Sequence, residues 1–175
     1  MEMITLVDHN DREIGVEEKI KAHREGRLHR AFSVFVFNHE GQMLLQKRSP
    51  LKYHSRSLWT NTCCSHPRPG EAMNKAIARR LHEEMGFACR ITEAFHFIYH
   101  AHLEEGLIEH EFDHVFIGEY QGVISPDPNE VADYRWIKLS DLHKEIKAAP
   151  GQFTIWFKLA LARAAYWREM TEAFS

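Results

Sequence analysis

Three acidic residues alternate along one predicted strand of the chain. Glu109, Glu111 and Asp113 are spaced two residues apart, and side chains with this spacing in a β-strand point to the same face. Like charges held so close together are destabilising unless a cation joins them. The spacing therefore indicates either a metal-binding strand or a solvated outer face with Lys or Arg across the hairpin, and the pattern alone favours neither.

Histidine is unusually frequent, with 13 in 175 residues. His23 and His29 flank Gly26 in a predicted connection between helix and strand, and His66 follows two residues after Cys64. Three imidazoles and two strand carboxylates would form a plausible octahedral set of ligands for Zn²⁺ or Mn²⁺. Taken singly, each histidine is more simply interpreted as a surface or hydrogen-bonded residue.

The segment from Trp59 to Pro67 contains adjacent cysteines, Cys63 and Cys64. A thiol beside a metal site and a helix N-terminus is expected to have a lowered pKa, which suits it to proton transfer or nucleophilic attack. Neighbouring side chains of an extended segment point in opposite directions, so only one of the two cysteines can face a site. We interpret Cys89 as a buried, inert cysteine.

The segment from Glu71 to Gly86 resembles the metal-binding helix of the Nudix superfamily. That motif has a Glu and, seven residues later, Arg-Glu-apolar-x-Glu-Glu-x-Gly, whose acids bind Mg²⁺ on a diphosphate. Here Arg80 replaces the first acid of the second half, and Ser65 replaces the opening Gly. A guanidinium would bind a phosphate through paired hydrogen bonds, so this helix argues against hydrolysis.

A mixed sheet with helices on its faces is predicted to position these residues. The predicted strands are Ile4 to Leu6, Phe32 to Phe37, Met43 to Gln46, Arg90 to Leu103, Leu107 to Tyr120 and Tyr134 to Leu139. The predicted helices are Glu17 to Arg24, Gly70 to Gly86, Ser140 to Lys147 with Ser140 as its cap, and Phe153 to Ala173. A long loop from Lys47 to Pro69 is typical of functional loops. Since hairpins dominate the middle, we expect an α/β (α+β) fold with a mixed sheet sandwiched between helices.

Length and composition indicate one globular domain, residues 1–175, with 44% hydrophobic and 27% charged residues. The net charge of −3 disfavours nucleic acid as a partner, and the apolar stretches are far shorter than the roughly 18 residues of a membrane span. The first ten residues lack the features of a secretory signal, and three cysteines make no paired framework. We expect a cytoplasmic monomer or homodimer that binds neither nucleic acid nor membrane.

Together these motifs resemble the type 1 isopentenyl-diphosphate Δ-isomerases, a family of Nudix-fold enzymes. The resemblance runs almost from end to end, and its most specific parts are the segment from Thr60 to Pro67 and the strand with Glu109 and Glu111. It implies a Nudix-like fold and the interconversion of isopentenyl and dimethylallyl diphosphate in isoprenoid biosynthesis. The reaction would pass through a tertiary carbocation, with Mg²⁺ and one Mn²⁺ or Zn²⁺ as cofactors.

The resemblance also implies a role for individual residues. Cys64 and Glu111 would be the acid and base, and Glu84 would hold Mg²⁺ on the diphosphate. The implied ligands of Mn²⁺ or Zn²⁺ are His23, His29, His66, Glu109 and Glu111. The implied substrate contacts are the cations Lys19, Arg48, Lys52 and Arg80 and the pocket residues Tyr99 and Trp156. The indole face of Trp156 could stabilise a carbocation, although both aromatic residues could equally be plain packing residues.

Two other functions fit parts of the pattern. A Nudix hydrolase of a diphosphate would share the fold, since fold does not decide function, but Arg80 and Ser65 argue against it. A closed structural zinc site built from Cys63, Cys64, His66 and a further histidine would leave no open face for a substrate. It would also leave the two strand glutamates without a role.

Overall fold

The computed structural model of the chain describes residues 1–174, so residue 175 of the predicted domain lies outside the described residues. The strands are β1 (Met3–Val7), β2 (Glu13–Glu18), β3 (His29–Phe37), β4 (Met43–Arg48), β5 (Trp59–Thr60), β6 (Cys63–Ser65), β7 (Ile91–His102), β8 (Ile108–Glu119) and β9 (Val131–Ile137). The helices are α1 (Lys19–Glu25), α2 (Met73–Met85), α3 (Leu139–Ala148) and α4 (Ile155–Ala173). All the predicted strands and helices are present, and β2, β5 and β6 are additional.

Strand β3 lies at the centre of a nine-stranded mixed sheet. It pairs in parallel with β8 along its whole length and antiparallel with β6, whereas it meets β4 only where Phe37 pairs with Met43. Strand β4 continues the sheet through β9 and β5. A parallel strand with a sheet neighbour on each side is buried on both faces, which explains why β3 reads as an almost continuous apolar run.

Helices cover both faces of the sheet. Phe35 of β3 packs in a core with Phe157 and Leu161 of α4. Val34, on the other face, packs in a second core with Ile77 and Leu81 of α2. Each such side chain contributes about 1.5–3 kcal/mol when it is fully buried. The expected sandwich of a mixed sheet between helices is thus confirmed.

The N-terminal helix begins two residues later than its predicted start. Residues Glu13–Glu18 form strand β2, which pairs with β1 at the edge of the sheet. The Glu18 carboxylate then accepts hydrogen bonds from the backbone N–H groups of Ile20 and Lys21, which starts α1. Strand β2 has no alternating apolar pattern directed to a core, because its apolar side chains Ile14 and Val16 are exposed.

Helix α3 also begins differently from the prediction. Its N-cap residue is Lys138, whose backbone is still extended, and the helix starts at Leu139. Ser140 therefore lies inside the first turn, and its predicted role as the cap is wrong. Within residues 1–174, no helix has both the length and the apolar character to span a lipid bilayer.

Candidate active site

A single cavity brings together residues that are far apart in the sequence. It lies where α1, the loop after β4, strands β6 and β8 and the start of α4 meet. The predicted site residues that line it are Lys19, Arg48, Lys52, Cys64, His66, Arg80, Tyr99, Glu109, Glu111 and Trp156. His23, His29 and Glu84 are not in the lining but contact residues that are.

The three acids of β8 point into the protein, not into solvent. Glu109, Glu111 and Asp113 are 2%, 8% and 0% exposed. Histidines, and not Lys or Arg across the hairpin, hold the first two of these carboxylates. The alternative of a solvated outer face is therefore wrong, and the arrangement matches a strand that binds a cation.

Four of the predicted metal ligands converge on one point and form what we call the convergent cluster. His23, His29, His66 and Glu111 each place a ligand atom within 4.8 Å of the others. The His66 Nε2 lies 3.2 Å from the His29 Nε2 and 3.0 Å from the Glu111 Oε1. Coordination bonds of roughly 2.1 Å would put neighbouring ligand atoms about 3.0–3.4 Å apart, so these separations suit ligands of one metal ion.

The histidine rings are oriented for metal binding by backbone groups. The Nδ1 of His23 donates to the Lys19 carbonyl at 2.7 Å, and the Nδ1 of His29 donates to the Arg27 carbonyl at 2.8 Å. Such bonds fix the tautomer in which Nε2 is free to bind a metal. Among residues 1–174, the Glu109 Oε2 is buried without a hydrogen-bond partner, which is costly unless a cation or water supplies one. The residues therefore fit a divalent metal.

Burial also favours the protonation states that a metal requires. It lowers the pKa of His66 to about 4, so this ring is neutral at pH 7. Burial alone would raise the pKa of Glu109, but hydrogen bonds with His23 and His54 hold it well below its usual range. Neutral imidazoles and ionised carboxylates are the forms that bind metals.

The two adjacent cysteines point to opposite sides of the sheet, as predicted. Cys63 packs in the core beneath α2, whereas Cys64 lines the cavity. Burial raises the pKa of Cys64 to about 12, so the expectation of a lowered thiol pKa is wrong in this structure. The Cys64 thiol donates to the Asn61 side-chain oxygen at 3.1 Å. Cys64 is thus a neutral thiol, able to give a proton.

Two aromatic side chains contact the proposed acid and base directly. The Tyr99 hydroxyl donates to the Glu111 Oε2 at 2.7 Å. The Trp156 Nε1 donates to the Cys64 Sγ at 3.0 Å. Both rings are buried, and both belong to the core that continues beneath α4. Tyr99 and Trp156 therefore pack in the core and also line the cavity.

The four cations predicted to bind the diphosphate converge on the same cavity. Lys19 lies 2.9 Å from Glu2, Lys52 pairs with Glu130, and Arg80 lies 3.3 Å from Glu130. Arg48 instead donates to the backbone carbonyls of His54 and Ser55, with its guanidinium 5.3 Å from the centre of the Trp156 ring. The lining also contains four acids, Glu2, Glu109, Glu111 and Glu130, so the described lining of the cavity has no excess of positive charge. An anionic substrate would have to replace the acids that now pair with the cations.

Helix α2 positions the Nudix-like acids behind this pocket. The Glu84 carboxylate is buried and accepts hydrogen bonds from Arg80 at 2.5 Å and from Gln46 at 2.8 Å. Glu71 forms two hydrogen bonds with Arg79, at 2.8 and 2.9 Å. The first half of the Nudix-like motif therefore anchors the loop before α2, and its second half faces the cavity.

Several residues of the cavity were not predicted from the sequence. They are Glu2, Tyr53, His54, Ser65 and Glu130. His54 is buried, and its Nε2 lies 2.7 Å from the Glu109 Oε1. The only signal for His54 and Tyr53 was their position in a long loop of functional type, because neither belongs to a spaced motif.

Many of the remaining histidines lie on the other face of the β7–β8 hairpin. They are His96, His100, His102, His110 and His114. His114 is bound on both ring nitrogens, by Asp11 at 2.9 Å and by Glu93 at 2.7 Å. Nine of the 13 histidines thus belong to two separate groups, four at the cavity and five on the other face of this hairpin.

Comparisons with known proteins agree with this geometry. A model of the NUDIX domain matches residues 27–157. A Burkholderia multivorans protein named isopentenyl-diphosphate Delta-isomerase is 51% identical over 163 residues, which cover 93% of each chain. Isopentenyl-diphosphate Delta-isomerase 2 of Photorhabdus laumondii is 50% identical over 165 residues, covering 94% of this chain and 93% of that one.

Solved structures show the same fold at lower identity. A Deinococcus radiodurans crystal structure superposes with a TM-score of 0.70 at 21% identity, covering 84% of this chain and 90% of that one. A MutT NUDIX hydrolase from Burkholderia pseudomallei has a TM-score of 0.63 at 21% identity, covering 78% and 97%. The matched domain and the near full-length relatives lead to one conclusion. This chain belongs to the NUDIX family and, within it, to the isopentenyl-diphosphate Delta-isomerases.

Proposed function

We propose that this chain interconverts isopentenyl diphosphate and dimethylallyl diphosphate in the cavity described above, in isoprenoid biosynthesis. The observation that carries the proposal is the presence of a neutral thiol, Cys64, and a histidine-bound carboxylate, Glu111, in one cavity lined by four cations. Moving a double bond by one carbon requires a proton to be added at one carbon and removed at another, with no redox step. A thiol and a carboxylate supply these two groups.

The acid and base are held by different strands. Cys64 on β6 pairs with Ser33 of β3, and Glu111 on β8 pairs with His29 of β3. Because β3 runs between them and their β3 partners are four residues apart, the two backbones are about 10 Å apart across the sheet and about 13 Å apart along it. Both side chains line the cavity between them. This separation leaves room for a short hydrocarbon chain between a proton donor and a proton acceptor. Tyr99 orients Glu111, and Trp156 orients Cys64.

The substrate would be bound at its charged end and enclosed at its apolar end. Lys19, Arg48, Lys52 and Arg80 would bind the diphosphate, exchanging their present partners for phosphate oxygens. The Trp156 ring would face the hydrocarbon, and its π face can stabilise a carbocation by about 2 kcal/mol when water is excluded.

Two divalent metals would complete the site. His23, His29, His66, Glu109 and Glu111 would hold Mn²⁺ or Zn²⁺, and Glu84 would hold Mg²⁺ on the diphosphate. When bound, these ions supply positive charge that orients Glu111 and neutralises phosphate oxygens. Within the described residues, the donor set of nitrogen and oxygen atoms with Cys64 outside it suits an open site better than a closed thiolate-rich zinc site.

The second candidate, hydrolysis of a diphosphate, is supported by the NUDIX match alone. Arg80 argues against it, because it stands where the Nudix motif has a metal-binding acid, so one carboxylate that a hydrolytic metal would need is missing. Neither Cys64 nor the histidine cluster has a task in simple hydrolysis.

Replacing Cys64 tests the proposal. In Cys64→Ser the hydroxyl keeps the size of the side chain but is a much weaker proton donor, so isomerisation should fall by a factor of at least about 100. Metal content, measured by elemental analysis, should not change, because Cys64 is outside the ligand set. Loss of both metal and fold would instead support the structural zinc site, and full isomerase activity would remove Cys64 from the mechanism.

We further propose that residues 1–175 work as one domain in the cytoplasm, as a monomer or homodimer, without nucleic acid or membrane as a partner. The three cysteines are all free thiols, which suits a reducing compartment. Light scattering on the purified protein would give its mass in solution, and a trimer or larger assembly would contradict the proposal.

A further inference from the structure

His54 is a buried polar residue that no motif in the sequence singles out. It lies in the loop between β4 and β5 and is 2% exposed. Its ring lies between three parts of the cavity: the Glu109 carboxylate, the Trp156 indole and the loop that contacts Arg48. A buried imidazole with this many neighbours must be held in one orientation.

The contacts of the His54 ring define that orientation. The Nε2 lies 2.7 Å from the Glu109 Oε1 and the Nδ1 lies 3.1 Å from the Ser55 hydroxyl. When the Ser55 hydroxyl donates to Nδ1, the ring proton is on Nε2 and is donated to Glu109. The other oxygen of Glu109, Oε2, has no hydrogen-bond partner in the described structure. One oxygen is therefore fixed and the other is left for a ligand.

The backbone of the loop that carries His54 is strained. Ser55 and Ser57 have φ angles of +50° and +61°, a backbone region that disfavours residues with a Cβ and is found where the surrounding structure imposes it. The Ser55 N–H donates to the Glu104 carboxylate. Arg48 donates to the carbonyls of His54 and Ser55 at 3.0 and 3.2 Å. These bonds fix the loop beside the cavity.

We propose that His54 is a positioning residue that holds Glu109 with its free oxygen toward the metal site. The inference rests on the proposed function of the cavity, since Glu109 is an implied metal ligand there. Partners of metal-binding carboxylates in other proteins orient the ligand, and their removal typically costs 10–100-fold in metal affinity or activity. His54 is an uncharged donor of this kind.

His54 and Glu109 both lie outside the convergent cluster of four ligands in this structure, and His23 joins them to it. The His54 ring nitrogen groups with His23 and Glu109, whereas the convergent cluster is made by His23, His29, His66 and Glu111. His54 also makes a perpendicular ring contact with Trp156, with 5.7 Å between the centroids. The same ring thus positions a metal ligand and supports the wall of the hydrocarbon pocket.

Two comparisons between variants separate the effect of the His54 hydrogen bond from the effect of ring packing. His54→Phe keeps an aromatic ring against Trp156 but removes the donor. His54→Gln places an amide nitrogen near the position of Nε2, whereas the shorter His54→Asn does not reach Glu109. His143→Phe, on the exposed surface of α3, is the matched control for loss of a histidine.

The first readout is the affinity of the substrate-free protein for Mn²⁺, measured by competition with a chelator. We expect His54→Phe and His54→Asn to bind Mn²⁺ 10–100-fold more weakly and His54→Gln to stay within about threefold of the parent. Unchanged affinity in both donor-free variants would overturn the inference. If His54→Phe does not fold, as judged by its circular dichroism, the Asn and Gln pair carries the same comparison.

The second readout counts the nitrogen ligands. The electron spin-echo spectrum of bound Mn²⁺ should show the same directly bound imidazoles in the parent and in His54→Gln. Loss of one bound imidazole in His54→Gln would overturn the inference by making His54 a ligand. Both readouts use metal without substrate. They therefore test the role of His54 even if the isomerase proposal fails. In an active enzyme, kcat should fall more than KM rises in His54→Phe.

Discussion

At the scale of single residues, the site depends on buried polar groups that are nearly all paired. Glu111 contacts two histidines through one oxygen and accepts the Tyr99 hydroxyl on the other. Cys64 has Trp156 on one side and Asn61 on the other. Hydrogen bonds to an ionised group contribute about 1.5–3 kcal/mol, and an unpaired buried group costs a similar amount. Breaking one of these hydrogen bonds should therefore lower activity, because Glu111 or Cys64 loses a partner that orients it.

The Tyr99 hydroxyl gives a direct test at this scale. Tyr99→Phe keeps the ring in the core but removes the hydrogen bond to the Glu111 Oε2. We expect kcat to fall about 10–100-fold, since about 1.5–3 kcal/mol corresponds to that range. The melting temperature should fall by several degrees, because the Glu111 Oε2 loses its buried partner, so kcat is compared at a temperature at which both variants are folded. Tyr134→Phe, on the partly exposed surface of β9, is the control, and equal kcat values in the two variants would exclude a role for the Tyr99 hydroxyl.

At the scale of secondary structure, strand β3 organises the site. Its paired neighbours β6 and β8 carry Cys64 and Glu111, and its own first residue is His29. In-register pairing puts these side chains on the same face of the sheet. The antiparallel pairing of β6 and the parallel pairing of β8 with β3 thus fix the acid, the base and one metal ligand relative to one another.

The elements with a strong pattern could be predicted from the sequence. The two-faced apolar run of β3, the hairpin of β7 and β8 and a helix α2 that ends at Gly86 are all present, although α2 begins at Met73 and not at Gly70. Strands β5 and β6 are two and three residues long, which is too short for any apolar alternation to show. They form because β4 and β3 offer them backbone partners.

The candidate site could be predicted only in part. The alternation of Glu109 and Glu111 indicates a shared face, which the structure confirms. The four cations lie on α1, β4, the following loop and α2, so their convergence depended on the family resemblance and not on spacing. The position of His54 depends on the fold of an irregular loop, for which the sequence carries no periodic signal.

Substitutions of two glycines test how tightly the two ends of helix α2 are packed. Gly70 and Gly86 both have positive φ angles, +76° and +74°. A Cβ on Gly86 would lie 2.3 Å from the Ser125 backbone oxygen, whereas a Cβ on Gly70 would meet no atom of the described residues within 4 Å. We expect Gly70→Ala to lower the free energy of unfolding by about 1 kcal/mol.

Gly86→Ala should have the same backbone cost and a further loss of about 1–3 kcal/mol from the steric clash. Urea unfolding of both variants measures the difference. Equal losses would mean that the segment around Ser125 moves away freely and that Gly86 serves only as the left-handed end of α2.

At the scale of the whole molecule, the metal site joins elements that are distant in the sequence. His23 on α1, His29 on β3, His66 after β6 and Glu111 on β8 meet at one point. An ion that binds only the folded chain stabilises it, by about 2.7 kcal/mol at a concentration 100 times its Kd. Metal binding should therefore raise the stability of the entire fold.

We expect saturating Mn²⁺ to raise the melting temperature by about 5–10 °C, since about 1 kcal/mol shifts a domain of this size by about 2–4 °C. Addition of a chelator should reverse the shift. His66→Gln should lose most of it, whereas His143→Gln, a surface histidine of α3, should keep it. A melting temperature that does not respond to Mn²⁺ or Zn²⁺ in the parent protein would contradict the metal site.

The central claim is that the cavity shifts a double bond by proton transfer. Its most direct test is incubation of the protein, with Mg²⁺ and Mn²⁺, with isopentenyl diphosphate in D₂O, followed by proton and phosphorus NMR. We expect dimethylallyl diphosphate that carries solvent deuterium, because an acid that exchanges with solvent delivers the added proton. Unchanged isopentenyl diphosphate would contradict the isomerase account, and release of inorganic phosphate would instead support the hydrolase.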